Sequence, residues 1–212
     1  MRKHRAAALA LCVLALTSAP ARSHPHVYVD YEMALEVAED GVLRRIHFDW
    51  TFDDLYSAFL LQGAPRQAGD AREAALLRIA EDIVEKLEDV NYFTSVRASD
   101  HDLQTTGADG VRASLADGRL RLSFSVKMRA LRADAERVAL RVYDPQYIVA
   151  MSLKGEVRLA GPAHCRHSFT PAGPLDAADA RQIEDSMRTN QLPAGFGAKL
   201  AGLVSIDCRA PR

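Results

Sequence analysis

Val27-Tyr28-Val29-Asp30-Tyr31-Glu32-Met33-Ala34-Leu35-Glu36-Val37 is followed, across Asp40-Gly41, by Val42-Leu43-Arg44-Arg45-Ile46-His47-Phe48-Asp49-Trp50-Thr51-Phe52. In the first run every second residue is apolar. In the second, Val42, Ile46, Phe48, Trp50 and Phe52 repeat the pattern, with Arg44 the exception. Period-two alternation marks strands with one buried face, and Asp-Gly between two such runs is a hairpin turn signal. A two-residue turn pairs Glu39 with Val42 and sets the register. Leu35 then meets Ile46, Met33 meets Phe48, Tyr31 meets Trp50, and Val29 meets Phe52. A one-residue slip would separate all four pairs. On the polar face Glu36 opposes Arg45, Ala34 opposes His47, Glu32 opposes Asp49, and Asp30 opposes Thr51, with Tyr28 and Asp53 next in line.

Working outward, Asp53 to Leu61 reads as a short helix and Gly63 to Gly69 as a loop. Asp70 and Glu73 approximate a capping box ahead of Leu76, Ala80, Ile83, Leu87 and Val90 at helical spacing. The stretch 92–160 reads as further strands, clearest at Arg119 to Met128 after Asp117-Gly118. Val138 to Val142 and Tyr147 to Leu153 follow. Leu175 to Met187 predicts a helix capped by Asp176, and Val204 to Cys208 a final strand. The expected fold class is α+β: one domain over residues 24–212, an antiparallel sheet with two or three helices packed on it.

Residues 1–23 have the three parts of a secretory signal: basic Arg2, Lys3 and Arg5, apolar Ala6 to Leu16, and small residues up to Ala19, Ala21 and Ser23. Cleavage after Ser23 leaves His24 first; cleavage after Ala21 leaves Arg22-Ser23-His24. The expectation is an exported chain with no membrane span after processing. The full sequence has 27 basic and 28 acidic side chains. The four basic residues of 1–23 leave with the signal, for a net charge near −5, which argues against nucleic acid as a partner.

Cys12 lies in the signal, so Cys165 and Cys208 remain as an even pair in an oxidising compartment. A disulfide is the plain reading; a metal site from His164, Cys165 and His167 is the sharper one.

His24-Pro25-His26 is the most unusual stretch. With cleavage after Ser23, His24 offers an α-amine and an imidazole, and His26 a third nitrogen. Such donors favour zinc, copper or nickel. Asp30, on the same face, and Asp53, on the neighbouring strand, are the carboxylates within reach, as ligands or as groups orienting an imidazole. The alternative is a frayed chain end. His47 opposes Ala34, about 26 Å along the strand from His26, and reads as a surface residue, as does His101. No Gly-x-Ser-x-Gly, His-Glu-x-x-His or phosphate-binding glycine loop is present, so no enzymatic activity is expected.

Several stretches, taken in order, resemble the DUF1007 family of bacterial periplasmic proteins. They are His24-Pro25-His26-Val27-Tyr28-Val29-Asp30, Trp50-Thr51-Phe52-Asp53-Asp54, Asn91-Tyr92-Phe93-Thr94, Tyr143-Asp144-Pro145-Gln146-Tyr147 and the Cys165/Cys208 pair. The resemblance implies a periplasmic component associated with metal transport. Relatives carry an acidic calcium-type loop where this chain reads Gln62-Gly63-Ala64-Pro65-Arg66-Gln67-Ala68-Gly69-Asp70, so no calcium site is expected.

The expected function is therefore a periplasmic accessory protein of a transition-metal transport system. It would bind zinc, nickel or copper through His24 and His26, supported by Asp53 and Asp30, and work beside an inner-membrane transporter. The rival is a structural module that docks a membrane transporter without metal. A copper oxidase is a third reading. A two-lobed ligand receptor is disfavoured, because the strands alternate rather than forming continuous buried runs.

Overall fold

A computed structural model describes residues 25–98, 101–129, 137–189 and 195–208. The expected signal segment, both expected cleavage points and His24 lie outside the described residues. Strands β1 (Val27–Val37) and β2 (Leu43–Phe52) form the expected hairpin. Val29 pairs with Phe52, Tyr31 with Trp50, Met33 with Phe48 and Leu35 with Ile46. The polar face pairs as expected through Glu36 and Arg45.

The turn differs. The register shifts between Glu36 and Val37, so that Val37 pairs with Leu43 and the expected Glu39–Val42 pair does not form. The loop closes instead through Ala38 N–H to Val42 O and Gly41 N–H to Ala38 O. The bulge inserts one residue into the alternation. Leu43 is buried while Arg44 and Arg45 both face outward. That is the physical reason Arg44 broke the pattern.

Helix α1 (Asp54–Leu60) follows β2 directly and α2 (Asp70–Glu88) follows the loop. The cap of α2 is Gly69, whose carbonyl accepts from the N–H groups of Arg72 and Glu73; its side-chain-free cap replaces the expected Asp70–Glu73 box. A single turn at Asn91–Phe93 leads into β3 (Thr94–Ala98) and β4 (His101–Leu103). Strand β5 (Thr105–Ala116) and β6 (Arg119–Met128) form a second hairpin over Asp117-Gly118, both with positive φ, as a type I′ turn requires. Then come β7 (Arg137–Val142), β8 (Val149–Leu153), β9 (Arg158–Ala160) and β10 (Arg166–Thr170). Helices α3 (Ala177–Thr189) and α4 (Phe196–Leu200) precede β11 (Leu203–Asp207). Asp176 caps α3 as expected, accepting from Ala178 and Asp179 N–H.

The strands make two sheets rather than one. The first runs β5-β6-β2-β1-β8, with β9 also on β1; the second runs β10-β11-β7-β3-β4. Pairing is antiparallel except that β8 and β9 lie parallel to β1. Three neighbouring strands align their apolar rows, Tyr31–Trp50–Leu122 and Met33–Phe48–Phe124 among them. Those rows join Val96, Leu140 and Ile206 of the second sheet and Leu76, Ala80 and Leu87 of α2 in one core. The class is α+β, with more strand and a second sheet compared with the expected single layer. Cys165 and Cys208 form a disulfide, which consumes the thiolate that the alternative metal site would need.

Candidate functional site

The expected donors His26, Asp30 and Asp53 lie about the start of β1, where two acidic side chains organise the backbone. Asp53 follows β2 and caps α1: its Oδ1 accepts from Tyr56 N–H at 2.8 Å, and its Oδ2 accepts from Tyr28 N–H at 2.8 Å. Asp53 N–H in turn donates to Tyr28 O at 2.9 Å. Asp144, buried, accepts from Gln146, Ile148 and Val149 N–H, each within 2.9 Å. This turn presents Ile148 O to His26 N–H at 2.9 Å and so starts the parallel β1–β8 pairing. Gly197 packs on the same turn; a Cβ there would lie 2.6 Å from Asp144 O. The Tyr143-Asp144-Pro145-Gln146-Tyr147 stretch is thus a scaffold for the β1 end. Burial and neighbouring Tyr28 push the Tyr147 phenol up.

His26 is exposed beside this scaffold. Asp30 lies two residues beyond Tyr28 and pairs with Lys154 Nζ at 3.2 Å. The hairpin therefore brings Asp53 beside residue 28, as its register required, and gives both carboxylate oxygens backbone partners. Among the described residues, no group of three His, Cys, Asp or Glu side chains comes together to hold a metal ion. His164 and His167 are exposed next to the disulfide, and His101 is exposed at the start of β4.

His47 has partners the sequence did not suggest. Its Nδ1 lies 2.7 Å from Ser125 Oγ and its Nε2 lies 3.2 Å from Glu36 Oε2. Hydroxyl, imidazole and carboxylate stand in hydrolytic order. However, His47 and Glu36 are 44% and 48% exposed on an open sheet face. Water therefore screens the group, and nothing there shields a reacting carbonyl.

One concave feature of the described residues was missed by sequence reasoning. A cleft of about 440 Å³ opens where β1, β2, α1 and α2 meet, lined by Val27, Val29, Trp50, Phe52, Phe59 and Ile83 among others. Asp82 and Lys86 are its charged members. Its far wall is Val90 and Phe93, set by Asn91-Tyr92-Phe93, where φ is 51°, 54° and 52°. Three successive left-handed residues cost about 1–2 kcal/mol each. The Asn91 side chain holds the turn by donating to Thr94 O and accepting from Thr105 Oγ1 at 2.7 Å. Phe93 stacks on Trp50 with centroids 6.2 Å apart. Trp50 is buried, and its indole N–H is the one buried polar side-chain atom without a partner among the described residues. Phe59 and Val90 are exposed apolar residues among those that line the cleft. The signal that could have revealed this is Leu55 and Phe59, one turn apart on a helix too short to be judged by periodicity.

A model of one family, described as a protein of unknown function (DUF1007), matches residues 9–208. The chain belongs to the DUF1007 family. The match takes in every stretch that carries the resemblance. No curated protein matches this DUF1007 chain. Among its described residues, no helix is long and apolar enough to cross a membrane.

Proposed function

We propose that this DUF1007 protein works by binding, not catalysis: it is an exported accessory module that docks a membrane-transport partner protein through the cleft at the start of β1. The observation that supports this reading is the open apolar cleft, fringed by exposed Phe59 and Val90. Monomeric surfaces rarely leave such patches without a partner. The conspicuous motif residues Asp53, Asn91 and Asp144 are spent on internal bonds that shape this region. A photo-crosslinking residue at Leu55 in exporting cells tests it. The expected result is an adduct with an integral membrane protein that vanishes with Phe59→Glu, while the same residue at Phe169 gives none. An adduct indifferent to Phe59→Glu sinks the proposal.

A second reading keeps the transition metal, for one reason: His26 is exposed immediately after His24-Pro25, with its main chain anchored by Ile148. Zinc, copper(II) or nickel(II) would then be held by His24 and His26, and the carboxylates Asp30 and Asp53 would have to leave their present partners to join. Calorimetric titration of the processed protein, with His26→Ala alongside, tests this; equal binding by both overturns it.

A further inference from the structure

Resting on the docking reading above, we infer that the segment seated in the cleft is a basic amphipathic helix of the partner. The floor of the cleft is apolar, and one wall is the second half of α2. That wall, with the residue that ends it, carries Glu81, Asp82, Glu85, Glu88 and Asp89 against a single cation, Lys86. Glu85, Glu88 and Asp89 line a second depression that shares Asp82 and Lys86 with the cleft. Several carboxylates elsewhere have cations beside them: Asp30 has Lys154, Asp109 has Arg45 and Lys127, Asp179 has Lys199. Among the described residues, no ion pair joins any of these five to a cation. The C-terminal carbonyls of α2 add partial negative charge at the same end. The cleft is therefore an apolar groove beside uncompensated negative charge, and positive charge flanking an apolar face is its complement.

The occupant is a helix because the groove lies between two helices, α1 and α2, and is lined by their apolar side chains. β1 is paired on both sides, by β2 and by β8, so strand addition is closed there. A helix laid between α1 and α2 would place residues spaced i, i+3 or i+4, and i+7 against the apolar floor. The same negative charge opposes anionic lipid headgroups and fatty carboxylates.

Trp50 is the only tryptophan and lines the cleft, so its emission reports occupancy. The test titrates the exported protein with helical peptides of about 14 residues that share one leucine face and carry Lys, Gln or Glu elsewhere. The Lys peptide is expected to shift Trp50 emission and bind about tenfold tighter than the Glu peptide, with the advantage collapsing near about 0.5 M salt. Glu85→Lys/Glu88→Lys/Asp89→Lys, all at exposed positions, should reverse the order with an unchanged circular dichroism spectrum. If all three peptides bind alike and Phe59→Glu abolishes all of them, docking stands and the basic partner is overturned. If no peptide shifts Trp50, the docking reading falls and this inference with it. A larger shift with phosphatidylglycerol vesicles than with the Lys peptide, or a stable dimer in sedimentation, gives the cleft another occupant and overturns the inference.

Discussion

Tyr28 and Asp53 exchange two hydrogen bonds: the Tyr28 N–H donates to the Asp53 carboxylate, and the Asp53 N–H donates to the Tyr28 carbonyl. The same carboxylate caps α1 through Tyr56 N–H. One side chain therefore closes the end of the hairpin, starts the next helix and fixes one side of the cleft. Asp53→Ala removes the cap and a charge-assisted bond together, and should cost about 2–3 kcal/mol. Asp53→Asn keeps one carbonyl acceptor and should lose about 1 kcal/mol. Urea denaturation of the three proteins measures both; an Ala variant as stable as the parent would remove the clasp from this account.

The turn at Asn91 should respond to backbone chemistry more than to side-chain size. Asn91→Ala deletes the bonds to Thr94 O and Thr105 and leaves a Cβ residue at φ 51°. The expected loss is about 2–3 kcal/mol. Asn91→Gly also loses the bonds but relieves the left-handed penalty, and should recover about 1 kcal/mol of it. Thermal unfolding of the pair tests the order. Gly below Ala would mean that glycine's extra backbone entropy outweighs any relief of the left-handed conformation at residue 91.

The hairpin was legible because Val29, Tyr31, Met33 and Leu35 each meet an apolar partner in one register only. The bulge that buries Leu43 was visible only as the break at Arg44, since an inserted residue changes parity without changing composition. β5 was harder: Thr105 to Ala116 holds two glycines and two register irregularities, so alternation survives only over Val111, Ala113 and Leu115. The parallel β1–β8 pairing depends on Asp144 collecting three N–H groups, a contact that no spacing rule announces. The site reading found Asp53 beside residue 28 correctly, yet could not tell a ligand from a cap, because both need a carboxylate at that place. The acidic residues of α2 follow no spacing that singles them out in the sequence, and only the cleft beside them supports the docking role proposed for them.

Acid should loosen the junction between α3 and α4. Lys199 Nζ bonds Asp179 Oδ1 at 2.6 Å. That bond, with a backbone N–H and the charge of Lys199, holds the Asp179 carboxyl below its ordinary value. A carboxyl depressed in the folded state contributes stability above its unfolded pKa, about 3.9. The contribution fades as pH falls through the lower folded value. Stability measured from pH 5 down to pH 2 should therefore drop more steeply in the parent than in Lys199→Met, where the largest cause of the depression is gone. Parallel acid limbs would show that the pair carries no pH dependence.

The disulfide ties the end of the last strand to the start of β10 and lies close to the β1–β2 turn. Cys165 and Cys208 close a loop with a sequence separation of 43. A Cβ added at Gly41 would sit 3.2 Å from Cys208 Cβ, so the β1–β2 turn rests against the bridge. On the chain-entropy model the crosslink contributes about 4 kcal/mol. Cys165→Ala/Cys208→Ala should lose roughly that amount, read as a lowered urea midpoint. Gly41→Ala should cost about 1 kcal/mol from its φ of +78°, plus the strain of the close contact. In the cysteine-free background that second part should shrink, since no crosslink then holds the end of the last strand against the turn. Equal costs of Gly41→Ala in both backgrounds would show that the turn and the bridge are energetically independent, despite their contact.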